Sequence, residues 1–178
     1  GGAALTHEGV SFNGDGYVEM DNWRWGLSVS IEVLVYYSSF SPLASTVFSF
    51  NDESSKEGLF LCDHNSDGVP RIYCYVDRST ASAPKAIQNK HTYFDLDAWN
   101  HIVITISEQE KTINIYKNGL LAGTNKKGHA PNDCTRDFHI LGAHRMASSE
   151  IAGFLHGKLA YFRMWQDHVL SAEDVKNV

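Results

Sequence analysis

Residues 99–123 read WNHIVITISEQEKTINIYKNGLLAG. From Asn100 to Ile106 the residues alternate, with Ile102, Ile104 and Ile106 on one face and His101, Val103 and Thr105 on the other. That period of two is the mark of a strand with distinct faces. A polar loop, Ser107 to Lys111, separates it from Thr112 to Lys117, where Ile113 and Ile115 share a face. Asn118-Gly119 follows, the dipeptide that best tolerates positive φ in a tight hairpin turn, and Leu120-Leu121 begin a third strand. The stretch predicts an antiparallel meander, and no helical period competes with it.

The same alternation recurs on both sides of the meander. Glu8–Phe12 and Tyr17–Met20 read as strands around the turn Asn13-Gly14-Asp15-Gly16, and the pair is expected to form an edge hairpin. Val29–Tyr37 sets Val29, Ile31, Val33 and Val35 against Ser30, Glu32, Leu34 and Tyr36, the pattern of a central strand. Thr46–Phe50 follows, then a polar loop from Asn51 to Glu57. Gly58–Cys62 and Arg71–Val76 read as a hairpin. Asp77–Lys90 is weakly patterned and expected to be mostly loop. Beyond the meander, Phe138–Leu141 is a short strand and Gly142–Gly153 a loop. Leu155–Trp165 is a long strand with Leu159, Tyr161 and Trp165 on one face and Ala160, Phe162 and Met164 on the other. Ser171-Ala172-Glu173-Asp174 opens a closing helix with a short capping box. About a dozen strands and one terminal helix predict an all-β fold, a two-sheet antiparallel jelly-roll sandwich with a short C-terminal helix.

Composition bounds the function. The chain has 178 residues, 43% hydrophobic and 20% charged, which fits one soluble domain with a substantial core. A formal net charge of −6 speaks against a nucleic-acid partner, because counterion release needs a basic patch. No apolar run is long enough for membrane insertion. Because the chain stops at Val178 inside the expected helix, residues 1–178 are read as one domain excised from a larger protein. Of three cysteines, Cys62 and Cys74 flank a turn; a cross-strand bridge and two isolated buried thiols are both open.

Catalytic patterns fail. A retaining glycosidase needs two carboxyl groups roughly 5–5.5 Å apart. The nearest candidates, Asp95-Leu96-Asp97 and Glu108-Gln109-Glu110, read as turn carboxylates. There is no Gly-x-Ser-x-Gly elbow. Nine histidines include no closely spaced metal pair, so they read as scattered imidazoles, and His101 as a packing residue. The loop Trp23-Arg24-Trp25 offers two aromatic faces and a guanidinium for a sugar ring or a partner side chain; in the alternative, the tryptophans close the end of the core.

Several segments in this order resemble the laminin-G-like and pentraxin-like jelly rolls of the concanavalin A-like lectin/glucanase superfamily. They are Val10-Ser11-Phe12-Asn13-Gly14 with Tyr17-Val18, Ser30-Ile31-Glu32-Val33, Trp99-Asn100-His101-Ile102-Val103, Ile115-Tyr116-Lys117-Asn118-Gly119, Ile140-Leu141-Gly142, Gly157-Lys158-Leu159 and Met164-Trp165 through Val169–Glu173. The resemblance implies a non-catalytic extracellular or cell-surface module that binds a glycan or an extracellular protein partner. It further implies that Arg78, His144 and Arg145 gather at one edge with the loop 51–57. Calcium is possible in such folds, with Asp52, Glu57 and Glu150 as the available carboxylates. Where calcium-binding relatives place acids or amides after the Leu-Gly pair, however, this chain has His144-Arg145, which supplies no side-chain oxygen to a hard cation.

Overall fold

The structure is a computed structural model that describes residues 2–41, 44–52, 58–64, 71–77, 85–145 and 150–178. Its first nine strands are β1 (Ala3–Thr6), β2 (Gly9–Asn13), β3 (Val18–Met20), β4 (Arg24–Trp25), β5 (Val29–Ser39), β6 (Thr46–Asn51), β7 (Gly58–His64), β8 (Arg71–Asp77) and β9 (Lys85–Tyr93). The rest are β10 (Trp99–Ser107), β11 (Thr112–Lys117), β12 (Leu120–Asn125), β13 (Cys134–Thr135), β14 (Phe138–Leu141), β15 (His144–Arg145), β16 (Ile151–Ala152) and β17 (His156–Gln166), followed by α1 (Asp174–Asn177). They form a seven-stranded sheet, β1-β2-β17-β5-β10-β11-β12, a six-stranded sheet, β3-β14-β6-β7-β8-β9, and the small pairs β4/β13 and β15/β16. Among the described residues no helix is long and apolar enough to cross a membrane.

The core lies between the sheets because each contributes one apolar face. Val29, Ile31, Val33 and Val35 of β5, with Ile102, Ile104 and Ile106 of β10, meet Phe48, Phe50, Leu59 and Leu61 of the other sheet. The meander forms as β10-β11-β12, and Asn118 and Gly119 take φ of 50° and 77°, the pair of positive values that a tight hairpin turn requires. Ser171 and Asp174 exchange the expected reciprocal bonds, Ser171 N–H to Asp174 Oδ2 at 2.9 Å and Asp174 N–H to Ser171 Oγ at 3.1 Å. The helix itself starts two residues later than the sequence pattern suggests, at Asp174 rather than Ala172.

Three expectations need correction. The strands either side of Asn13–Gly16 are not a hairpin: β2 joins β1 and β17 in one sheet, while β3 joins β14 in the other. The turn therefore carries the chain between layers, and both strands find sequence-distant partners. Within Asp77–Lys90, expected as mostly loop, residues 85–90 belong to β9 at the margin of the six-stranded sheet, and β1 was likewise not anticipated. Both are edge strands, and β1, largely exposed, carries little apolar periodicity. In β17 a bulge leaves Ala160 without a partner in β5, so Leu159, opposite Val35, shares the core face with Phe162, opposite Val33. Tyr161 and Trp165 consequently face outward, apart from Leu159. Of the two alternatives open for Cys62 and Cys74, the structure has the buried thiols: Leu61 rather than Cys62 stands opposite Cys74, which turns the two thiols to opposite faces of the β7/β8 hairpin, and all three cysteines are free.

Trp23, Trp25, Phe50 and His139 close one margin of the core. Trp25 is 1% exposed, its indole N–H donates to His139 Nε2 at 2.8 Å, and the Arg136 guanidinium lies 3.8 Å over its ring. Trp23 stacks on the other side of His139, with centroids 3.7 Å apart. Burial and the nearby Arg136 charge push the His139 imidazole down to about 4. At the far end of β14, Gly142 has φ +81°, and a Cβ there would stand 2.3 Å from the Phe12 ring.

Two outcomes follow. Gly142→Ala combines a left-handed backbone with overpacking of Phe12 and lowers stability by about 3 kcal/mol in chemical denaturation. A base whose folded pKa is depressed stabilises the fold above its unfolded value, near 6.5, and that contribution is lost as pH falls through about 4. Since glutamine can still accept the Trp25 bond, His139→Gln gains stability relative to the parent as pH is lowered across that window. Parallel denaturation midpoints for parent and variant from pH 7.5 to 4 check this, and a difference that stays constant or moves against the variant as pH falls would overturn it.

Candidate functional site

Three chain segments meet beside the end of β5. They are the turn at Gly14, residues 39–41, and residues 150–156 running from β16 into β17. Backbone bonds fix them: Gly14 N–H to Leu155 O at 3.1 Å, Thr46 N–H to Gly153 O at 2.8 Å, and Leu155 N–H to Gly142 O at 2.8 Å. Between them lies a cleft of about 370 Å³ lined by Ser39, Phe40, Ser41, Glu150, Phe154 and His156 together with Gly14 and the 151–153 backbone. Phe40 is braced by Tyr37, whose ring centroid is 5.1 Å away. Ser39 Oγ and His156 Nδ1 are 2.5 Å apart, so hydroxyl and imidazole are held as one unit on the cleft wall. Two half-buried phenyl rings, two hydroxyls, an imidazole and one exposed carboxylate thus converge on one concavity. That mixture of apolar faces and a few oriented polar groups is the composition of a small-ligand site.

The residues singled out from sequence fall in four places. Glu150 lines the cleft. His144 and Arg145 form β15, which pairs with β16 and lies against β6 of the six-stranded sheet. There the His144 ring sits 4.9 Å from Phe60 and its Nδ1 is 2.9 Å from Ser49 Oγ, and burial lowers its pKa. The Arg145 guanidinium stacks 3.6 Å over Phe138, while its carbonyl accepts from Asn51 Nδ2 at 3.4 Å. The end of β6 and the segment after Leu141-Gly142 therefore do come together. Asp52 is half-buried beside this contact, whereas Glu57 and Arg78 lie outside the described residues.

The Trp23–Trp25 segment requires a correction. Trp25, read either as an aromatic face for a ligand or as a cover for the end of the core, is fully inside the core and offers no face, and β4 pairs with β13 rather than forming open loop. Trp23 is half-buried against His139 and Phe50. Only Arg24 is exposed, and it makes a forked ion pair with Asp133, with Nε at 3.2 Å and Nη2 at 3.0 Å. Two tryptophans flanking an arginine in a turn-rich stretch look the same in sequence whether they cap a core or meet a ligand.

As a calcium site the described residues fit poorly. Among them no group of three or more His, Cys, Asp or Glu is placed to hold a metal ion. At positions 144 and 145 an imidazole and a cation stand where a hard ion needs oxygen. Missing from the sequence reading altogether were Ser39, Phe40, Ser41, Phe154 and His156. Phe40 and Phe154 lie in short segments without periodicity, and only the interlayer backbone bonds bring them opposite each other. The one available hint was a pair of aromatic residues in Ser/Gly-rich connections, where a buried role needs a reason.

A family model described as the concanavalin A-like lectin/glucanases superfamily matches residues 12–176. No curated protein matches the chain in sequence. Among solved structures, a native heptameric pentraxin of the serum-amyloid-P type from Limulus polyphemus is similar with a TM-score of 0.67 and 18% identity, covering 93% of this chain and 78% of that one. The carbohydrate-binding module of a Ruminococcus gnavus sialidase, bound to α2,3-sialyllactose, has a TM-score of 0.67 and 11% identity over 92% of this chain and 96% of its own. Domain 4 of an extracellular arabinanase from Geobacillus stearothermophilus, in complex with arabinotriose, has a TM-score of 0.69 and 13% identity over 98% and 79%. At such identities the likeness is one of fold, and it includes modules that carry sugars. With nearly the whole chain matched and a two-layer antiparallel sandwich underneath, the chain belongs to the laminin-G-type domains of the concanavalin A-like lectin/glucanases superfamily.

Proposed function

We propose that this domain is a non-catalytic, lectin-like module that binds a glycan in the cleft beside β5, as one domain of a larger secreted or cell-surface protein. The observation that carries the reading is the convergence of Phe40 and Phe154 with Ser39, Ser41, Glu150 and His156 in a cleft of about 370 Å³. The phenyl faces suit the C–H surface of a sugar ring, and the hydroxyls, imidazole and carboxylate can share hydrogen bonds with its hydroxyl groups. Structural neighbours whose described ligands are sialyllactose and arabinotriose support the class of ligand.

The absence of catalysis is supported by what the nearest acids are engaged in. Glu108 binds Lys111 Nζ at 2.5 Å and accepts the Ala130 N–H at 3.2 Å, while Asp95 binds Lys117 Nζ at 2.9 Å. A carboxylate tied to a lysine and a backbone amide is poorly placed as a glycosidic acid. Binding is expected to be independent of calcium, because His144 and Arg145 replace oxygen donors after Leu141-Gly142.

Screening on a glycan array, in buffer with calcium and in buffer with a chelator, tests this directly. The expected result is a specific set of glycans retained equally in both buffers. Phe154→Ala and His156→Ala each weaken retention about tenfold or more, the loss of one well-placed contact, with the near-ultraviolet circular dichroism unchanged. An array without hits, or hits that disappear with the chelator, would overturn the reading of the ligand or of its metal independence respectively.

A further inference from the structure

The outer side of the seven-stranded sheet carries a charge that has no evident structural need. Glu32 lies on the face of β5 that points away from the core, where a glutamate ordinarily reaches into water, yet it is 0% exposed. Three side chains from the neighbouring strands enclose its carboxylate. His101 Nε2 of β10 is 2.9 Å from Oε1, the Tyr161 hydroxyl of β17 donates to the same oxygen at 2.9 Å, and Arg163 Nη1 donates to Oε2 at 3.2 Å. Burial and the bond to Glu32 push the Tyr161 phenol up to about 12, so it remains a donor throughout the working range.

Desolvating a carboxylate costs several kcal/mol even when it is paired, and an apolar side chain at the same place is often as good for stability. Leu34, two residues along the same face, is such an apolar side chain. What the carboxylate does provide is orientation. It fixes an imidazole, a phenol and a guanidinium side by side, with the Arg163 group 4.6 Å over the Tyr161 ring and its side chain still 54% exposed. One step along the strands, Tyr36 and Trp99 stand opposite each other on β5 and β10, both half-buried, with ring centroids 5.6 Å apart. Successive same-face rows are about 7 Å apart, so the aromatic row and the polar row together span more than one sugar unit. At the other end, Leu170 and Val175 of the C-terminal segment cover Val103 and Tyr116 and bound the platform.

Charge decides the kind of occupant. The cations around the platform are engaged: Arg163 with Glu32, Lys158 with Glu8 and Lys117 with Asp95, while the Asp97 carboxylate accepts from the Tyr36 hydroxyl at 3.2 Å. None of these cations is left to attract an anionic partner, whereas hydrogen-bonding edges and aromatic surface remain. We infer that the platform formed by Tyr36, Trp99, His101, Tyr161 and Arg163 over Glu32 is a second binding site, separate from the cleft, for a neutral oligosaccharide lying along the sheet. Glu32 acts in it as a positioning residue and does not touch the sugar.

Amide chemical shifts of the isotope-labelled domain, followed during titration with cellohexaose, xylohexaose, laminarihexaose and mannohexaose, test the inference without any substitution. At least one of these probes should shift residues 34–36, 99–101 and 161–163 together. Trp99→Ala should then weaken that probe about tenfold or more, whereas Phe154→Ala should leave it unchanged. Shifts confined to residues 39–41 and 150–156 would overturn the platform while leaving the cleft as the glycan site. No shifts on the platform with any of the four, or platform shifts that survive in a folded Trp99→Ala protein at unchanged affinity, would overturn it as well.

Discussion

Everything in this domain hangs on a single strand that is satisfied on both edges and supplies the centre of the core. Val29–Ser39 pairs with Trp99–Ser107 on one side and His156–Gln166 on the other, almost from end to end. Its four valine and isoleucine side chains form the centre of the core. Its other face carries polar side chains that hold neighbouring segments in place. Ser30 Oγ donates to His168 O and accepts the Leu170 N–H, both at 2.9 Å, which fastens the C-terminal segment to the sheet. Glu32 collects three side chains of the adjoining strands. A backbone with no free ladder edge can carry such costly groups because its own hydrogen bonds are already made.

The recognition surfaces are consequences of that arrangement. The cleft begins where β5 ends, since Ser39 is its last residue and Phe40 and Ser41 follow. The strand that supplies His156 beside Ser39 is β17, and the bulge at Ala160 decides which side chains of that strand face the core and which face out. Without the bulge, Tyr161 would share the face of Leu159 and could not reach Glu32. Cleft and platform thus depend on the same two strands but use different parts of them, loops at one end and a sheet face along the middle.

The part of the structure that was legible in the chain is the part governed by neighbours in sequence. The alternation of isoleucines in β10, the Asn118-Gly119 turn and the reciprocal Ser171–Asp174 bonds depend on residues within a few positions of one another, and each appears as read. Hydrophobic alternation also placed the core face of β5 correctly. Edge strand β1 was not legible, because a strand that buries little leaves no period in its sequence; β9, at the other sheet's edge, was not legible either.

Pairing and placement were settled only by the tertiary structure. Nothing near Asn13–Gly16 says that the turn changes layers, and nothing near Trp25 says that His139, 114 residues away, receives its indole N–H. The same holds for the sites: Phe40 and Phe154, or Glu32, His101, Tyr161 and Arg163, become neighbours through sheet order alone. Local sequence encodes which backbone shape a segment prefers and which of its faces avoids water. Which segments then lie side by side follows from burying all those faces at once, and the side chains that recognise a ligand are assembled at that step.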